Sequence, residues 1–171
     1  MTDLLSSTLD VDVGSSVGND TDQDVEMMRY LAIGIRARTF AVELQYVREI
    51  VGLQPMTPVH DAPSYVRGLM NLRGHVVPLV DAAERIGEEP CAYNDRTAIV
   101  VLALPGGEVG IIVDRVERVL DLPVPDAEGD KGRANYLRGV HHIAEGTIVC
   151  LDPDWLAGTR CAPERDAGAE P

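Results

Sequence analysis

An internal repeat is the feature that most constrains how this 171-residue chain can fold. Residues 40–53 align with 109–122 at a shift of 69, and apolar residues coincide at six positions of this alignment. Residues 65–69 and 136–140 form a second matching pair at a shift of 71, and each leads to an apolar residue followed by Asp. Two matching blocks in the same order predict two halves of similar structure.

Both halves consist of short apolar stretches separated by Gly, Pro and charged residues, a pattern that is typical of short β-strands. The predicted strands are residues 30–35, 40–44, 75–80, 98–104, 109–113 and 147–151. Pro105-Gly106-Gly107 predicts a tight turn between two of them, because glycine reaches positive φ without strain. About five short strands in each half favour two small β-barrels over a sandwich.

Helical signals are few. Asp81 is followed three residues later by Glu84, which resembles a capping box and predicts one short helix over 81–86. Asp152 lies at the matching position of the second half and predicts the start of another short helix. The chain is therefore predicted to be mainly β.

The two ends of the chain differ in composition from its middle. Residues 1–26 contain seven acidic and no basic residues, with neither a helical nor a strand period. Because so polar a segment cannot offset the entropy lost on ordering, we predict a disordered acidic tail. Residues 159–171 predict a second disordered tail, which leaves 27–158 as the folded domain.

The charge balance disfavours some classes of partner, and the cysteines indicate the cellular compartment. The chain has 28 acidic and 15 basic residues, a net charge of −13, and so lacks the positive field that attracts nucleic acid. No apolar run is long enough to predict insertion into a membrane. Cys91, Cys150 and Cys161 lack metal-binding spacing and predict reduced thiols, with Cys150 in the core. We therefore predict a cytoplasmic protein.

The sequence lacks the motifs of common enzymes, including a Gly-x-Ser-x-Gly elbow, a His-Glu-x-x-His zinc site and a Walker loop. An enzyme that uses His60, His75 or His142 is one alternative, although no serine lies in a turn that would complete a triad with His75 and Asp81. A nucleic-acid-binding barrel is a second alternative, which the few aromatic residues and the lack of a basic cluster disfavour. We expect no catalytic residue, no metal and no cofactor.

The two halves differ sharply in one matched segment. The first half contains Asn71-Leu72-Arg73-Gly74 where the second contains His142-Ile143-Ala144-Glu145. A residue type that both halves share is explained by their common backbone geometry, whereas a difference points to something other than folding. Arg73 is therefore a candidate functional residue.

Glu49 is the second charged candidate. Val47, Ile50 and Val51 recur at i, i+3 and i+4, which predicts one side of a short helical turn from which Glu49 points away. Two interpretations stay open. Glu49 is either a solvent-facing charge, or it pairs with Arg73 across a groove and orients the guanidinium group where a partner docks.

The segment Gly68–Asp81, with its Asn-Leu-Arg-Gly sequence before an apolar strand that contains Pro and ends in Asp, strongly resembles the CheW family of bacterial chemosensory coupling proteins. The resemblance covers nearly all of residues 27–156. It includes the segments 47–50, 93–95, 109–116, 136–140 and 148–152. The resemblance implies a mainly all-β fold of two intertwined five-stranded SH3-like barrels with a few short helices, which agrees with the repeat.

The resemblance also implies a function. Proteins of this family are non-enzymatic adaptors that couple the cytoplasmic tips of chemoreceptors to the regulatory domain of the histidine kinase CheA. The receptor-binding residues that it implies are Val47, Glu49, Ile50, Asn71 and Arg73. The positions that it implies for the kinase or another partner are Gly68 and Val119. Since receptor tips are helical bundles, a helix lying in an apolar groove with a polar rim is the expected docking mode.

The pathway that the chain serves stays open at this stage. Flagellar chemotaxis is the first expectation, and a CheW-like paralogue that serves pili, twitching or another chemosensory pathway is the alternative. The acidic tail departs from the family pattern and bears on partner specificity more than on fold. We expect a monomer that joins receptor arrays from the cytoplasm.

Overall fold

The computed structural model describes residues 25–124 and 136–158, and within them it contains ten strands, two short α-helices and a 3₁₀ turn at Leu44–Tyr46. The strands of the first half are β1 (Met27–Ile35), β2 (Arg38–Glu43), β3 (Val47–Gly52), β4 (Val66–Leu72) and β5 (His75–Asp81). Those of the second half are β6 (Ala98–Leu104), β7 (Gly107–Val113), β8 (Arg115–Pro123), β9 (Leu137–Ile143) and β10 (Gly146–Leu151). The helices are α1 (Ala82–Arg85) and α2 (Pro153–Leu156).

The predicted strands and their order along the chain are confirmed. The predicted tails are not tested by the structure, because residues 1–24 and 159–171 lie outside the described residues, as does Cys161. Val25 and Glu26, the last two residues assigned to the first tail, are exposed, and the Glu26 carbonyl accepts a hydrogen bond from the Val124 amide at 2.8 Å.

The ten strands form two five-stranded sheets that share strands of both halves. One sheet has the order β8-β1-β2-β10-β9, and the other has the order β3-β6-β7-β5-β4. Each sheet therefore takes two strands from one half and three from the other. Replacing every strand by its counterpart five places along the chain converts one order into the other, which confirms the predicted intertwined architecture.

The backbone contacts reproduce the repeat in detail. The single parallel pairing in each sheet joins β10 to β2 and β5 to β7, which are counterparts. In the first half the Asp81 amide donates a hydrogen bond to the Tyr65 carbonyl at 2.8 Å. In the second half the Asp152 amide donates to the Tyr136 carbonyl, also at 2.8 Å. The structural correspondence between the two halves therefore extends to individual hydrogen bonds.

Three apolar clusters hold the fold together. Each sheet contributes one of them. The members are Met70, Val77, Leu79, Ile99, Val101 and Ile112 in one sheet, and Tyr30, Ala41, Leu122, Ile148 and Cys150 in the other. Three pairs occupy matching positions of the repeat: Val77 and Ile148, Leu79 and Cys150, and Ile99 and Tyr30. The largest cluster lies between the sheets and includes both helices. Cys150 is a core residue, as predicted, and burial raises the pKa of its thiol to about 12.

Both predicted helices are confirmed, and an aspartate caps each of them. One carboxylate oxygen of Asp81 accepts hydrogen bonds from the amides of Ala83 and Glu84. Its other oxygen accepts from the Tyr93 hydroxyl at 2.8 Å. Burial, and after it this hydrogen bond, raises the pKa of Tyr93. Asp152 caps α2 by accepting from the Trp155 amide.

The helical turn predicted at residues 47–51 is wrong, because this segment is strand β3. Burial alternates along it, so that Val47, Glu49 and Val51 are half-buried while Ile50 is 44% exposed. The apolar residues that matched a helical period are all β-branched, and these residue types fit a strand better than a helix. Pairing with β6 supplies the hydrogen bonds that an isolated helical turn would lack.

Candidate functional site

Arg73 lies in a two-residue turn that imposes an unusual backbone conformation. The turn joins β4 to β5 just beyond the paired residues Leu72 and His75. Its two residues, Arg73 and Gly74, have φ values of 52° and 88°. Positive φ at both central residues is the mark of a type I′ hairpin turn. The Asn71 side-chain oxygen accepts a hydrogen bond from the Gly74 amide at 2.8 Å, which fixes the turn from one side.

Glu49 and Arg73 form an ion pair that spans the two edges of their sheet. Glu49 is on β3 and Arg73 is in the turn that follows β4, and β3 and β4 are the outermost strands of the sheet. Arg73 Nη2 donates to Glu49 Oε2 at 2.9 Å. The Glu49 side chain is 19% exposed and the Arg73 side chain 77%. Of the two sequence interpretations, pairing is therefore confirmed, and it presents the guanidinium group to solvent.

The structure brings some of the other predicted receptor-binding residues to the surface beside this pair. Asn71 is exposed and lies opposite Val76, the most exposed large apolar side chain of the described residues at 66%. Ile50 follows Glu49 along β3 and is exposed on the other face of the strand, whereas Val47 packs partly against the cluster between the sheets. Val76 escaped the sequence analysis, although alternation along residues 75–80 would have placed it on the outer face.

Val119 and Gly68, the predicted partner contacts, lie in different environments. Val119 is 47% exposed on β8, in the other sheet. Gly68 is buried, with φ of 150°, and a Cβ atom there would lie 2.4 Å from the Thr57 carbonyl oxygen. Thr57 and Leu69 exchange two backbone hydrogen bonds at 2.8 Å across this approach. Gly68 therefore lets the loop that contains Thr57 pack on β4, and its role as a partner contact stays a prediction.

A comparison with known protein families identifies the family to which this fold belongs. The family model described as a CheW-like domain matches residues 29–160, most of the chain. The chain belongs to the CheW-like family. The matched residues include nearly all of the two intertwined sheets and the turn that contains Arg73.

Individual relatives agree with this assignment. The chain is 38% identical to the chemotaxis protein CheW of Rhizobium meliloti over 127 residues, which are 71% of this chain and 81% of that protein. It is 27% identical to the chemotaxis protein CheW of Klebsiella aerogenes, over 74% of this chain and 80% of that protein. Among solved structures, the scaffolding protein TtCheW from Thermoanaerobacter tengcongensis superposes with a TM-score of 0.68 at 19% identity, covering 77% of this chain and 92% of that one. That structure supports the fold.

The histidines that a catalytic alternative would need are dispersed in this CheW-like domain. His75 begins β5 and Asp81 ends it, so a strand of about 20 Å separates them. His142 is on β9 with its Nδ1 3.1 Å from the Thr147 hydroxyl, and His60 is in the loop before β4. Burial lowers the pKa of His141, which favours its neutral form. In residues 25–124 and 136–158 no group of three His, Cys, Asp or Glu side chains is placed to hold a metal ion.

Within the parts of the chain that the structure describes, no helix has the length and apolar character needed to cross a bilayer.

Replacing Arg73 by Asn is expected to leave the free energy of unfolding unchanged or to raise it by up to about 0.5 kcal/mol. Asn tolerates positive φ better than Arg, and Asn-Gly is the preferred type I′ sequence, which offsets the loss of an exposed ion pair. Urea unfolding of the variant and the parent measures the difference. A loss of more than about 1 kcal/mol would give Arg73 a structural role instead of a docking role.

Proposed function

We propose that this CheW-like protein is a non-enzymatic scaffold that couples the cytoplasmic tips of chemoreceptors to the regulatory domain of the kinase CheA. The observation that carries the proposal is the Glu49–Arg73 ion pair, which holds an exposed guanidinium group across the two edge strands of one sheet. Membership of a family whose relatives are chemotaxis proteins supports it. The protein then acts in the cytoplasm, at receptor arrays.

The surface around the ion pair suits a helical partner. Ile50 and Val76 supply exposed apolar area, while Asn71 and Arg73 supply polar groups beside it. An interface of this kind buries apolar anchors and surrounds them with a polar rim. Glu49 limits the orientations of the guanidinium group, so less conformational entropy is lost when Arg73 binds a carboxylate on the receptor helix.

Calorimetric titration with a soluble fragment of a chemoreceptor tip from the same organism tests receptor binding. Arg73→Glu is expected to weaken binding by tenfold or more, on the order of 1.4 kcal/mol, because it places a second carboxylate beside Glu49 and removes the cation. Arg96→Glu is the matched control, since Arg96 is also an exposed arginine next to a strand of the same sheet. It should bind like the parent. Equal binding by all three proteins would remove this surface from the proposal.

Binding to the kinase requires a separate titration with the CheA regulatory domain, followed by mapping of NMR shifts. We expect saturable binding with shifts around Val119, the exposed residue of β8, and we expect Arg73→Glu to bind the kinase domain normally. The same titration after removal of residues 1–26 measures whether the acidic segment contributes. Receptor binding without kinase binding would favour the alternative, a CheW-like paralogue that serves pili, twitching or another chemosensory pathway through a different kinase.

A further inference from the structure

One sheet has a histidine at a position where the other sheet has a methionine. We name the sheets by their edge strands, the β8–β9 sheet and the β3–β4 sheet. His141 on β9 lies opposite Ile148 of β10, as Met70 on β4 lies opposite Val77 of β5. Residues 70 and 141 are related by the shift of 71 that relates the two halves. Met70 is 2% exposed and belongs to the apolar cluster of its sheet, so an ionisable group takes the place of a core residue in the β8–β9 sheet.

The Nε2 atom of His141 is buried and has no hydrogen-bond partner among the described residues. The Tyr30 ring lies beside the imidazole, with the two ring centroids 6.1 Å apart. Ile148, the cross-strand neighbour of His141, packs with Tyr30 in the apolar cluster of this sheet. A positive charge on the imidazole would therefore be partly removed from water without gaining a hydrogen bond in return.

The strands packed against His141 offer mostly neutral groups. Tyr30 on β1 and Cys150 on β10 stay neutral near pH 7, because burial raises the pKa of each side chain to about 12. Strand β8 contributes the apolar Leu120 and Leu122 to the same cluster. None of these four side chains can act as a counter-charge to a protonated imidazole.

One carboxylate faces the same side of the sheet, and it already has its partners. Glu43 follows Ala41 by two residues on β2, so both side chains point toward the apolar cluster. Arg138 and the Gln45 side chain each donate a hydrogen bond to Glu43. A protonated His141 would have to compete with a guanidinium group for this carboxylate.

We propose that His141 is an acid-sensitive switch that loosens strand β9 below about pH 6.5 while the β3–β4 sheet stays closed. When β9 is detached, the imidazole takes up a proton near its usual pKa of 6.5, whereas burial in the closed sheet lowers the pKa of His141. The detached form therefore binds more protons in mild acid. The closed sheet keeps its full stability above this range and loses stability as the pH falls through it.

Strand β9 is the element that gives way because it lies at an edge and is paired on one side only, with β10. Its opening also separates Glu145, in the turn after β9, from Arg118 of β8. The switch is a property of the fold and does not rest on the proposed function. Val119, the expected kinase contact, follows Arg118 on β8, so under the proposed function mild acid also weakens the contact with the kinase.

NMR spectroscopy of the whole chain between pH 8 and about pH 5.5 tests the switch, because histidines titrate in this range and most carboxylates titrate below it. His142 is the internal reference, since it is the next residue on β9 and is exposed. The His141 ring is expected to titrate at a lower pH than the His142 ring. A His141 ring that titrates together with the His142 ring would overturn the proposal without the need for any variant.

Amide hydrogen exchange then locates the opening. Exchange in β9 and β10 of the parent, relative to His141→Met at the same pH, should become faster by up to about tenfold for each pH unit below 6.5. The same ratio in β4 and β5 should not change with pH. His141→Met supplies the residue of the matching position in the other sheet, and the control His142→Gln should keep the pH dependence of the parent. A ratio that is constant with pH in β9 and β10, or that changes equally in β4 and β5, would contradict the proposal.

Discussion

Replacing Arg138 by Ala is expected to lower the free energy of unfolding by about 3 kcal/mol, because it leaves a buried carboxylate without its counter-charge. The Glu43 side chain is only 3% exposed, and Arg138 Nη1 donates to its Oε1 at 2.6 Å. Its other oxygen accepts from the Gln45 side chain. Arg138 Nε also lies 3.6 Å from Asp152, the cap of α2, so the variant weakens a second contact. Urea unfolding monitored by circular dichroism measures the change.

The exposed ion pair between Arg118 Nη2 and Glu145 Oε1, at 3.1 Å, supplies the control. Arg118→Ala removes an arginine whose side chain and partner are 52% and 63% exposed, and it should change the free energy of unfolding by less than about 0.5 kcal/mol. The double variant E43Q/R138A should recover part of the loss, since a neutral amide is cheaper to bury than a carboxylate. Equal effects of Arg138→Ala and Arg118→Ala would contradict the burial argument.

Replacing Gly68 by Ala is expected to destabilise the protein by about 3 kcal/mol or more. Its φ of 150° is a conformation that residues with a side chain rarely adopt, and the new Cβ atom would lie 2.4 Å from the Thr57 carbonyl oxygen. Because this oxygen belongs to the backbone of Thr57 and not to a flexible side chain, the loop before β4 must move. The two hydrogen bonds between Thr57 and Leu69 are then strained or lost. Thermal and urea unfolding measure the effect.

Gly52→Ala is the matched control for this variant. Gly52 is also on an edge strand of the same sheet, and no atom lies within 4 Å of the position that its Cβ would take. Its substitution should stay within about 0.5 kcal/mol of the parent. If Gly68→Ala proves as stable as Gly52→Ala while losing a partner, Gly68 would be a direct contact after all.

The repeat and the strand pattern predicted the fold because both depend on backbone geometry that the two halves share. The prediction of a helical turn was wrong at Val47, Ile50 and Val51. So short an apolar run fits the period of a helix as well as that of a strand, and the pairing of β3 with the distant strand β6 determines which of the two forms. Long-range hydrogen bonding of this kind leaves no mark on the local sequence.

The sequence predicted only part of the candidate site, because its remaining contacts also depend on residues that are distant along the chain. Arg73 attracted attention because the halves differ there, and Glu49 because of its place beside apolar residues. The ion pair between Arg118 and Glu145 was not predicted, because its residues are distant in sequence and come together only in the fold. The Glu43–Arg138 contact joins residues 95 positions apart, and a glutamate at the end of an apolar strand gave no sign that it would be buried.

The sharing of strands between the sheets has a consequence for how the polypeptide can be divided. A cut between α1 and β6 would separate the two repeats, and neither fragment would hold all the strands of a sheet. Each fragment would expose edges that only the other can cover, so the repeats cannot exist as independent modules. An ancestor with one repeat would have had to pair with a second molecule of itself, exchanging strands, before the two became one chain.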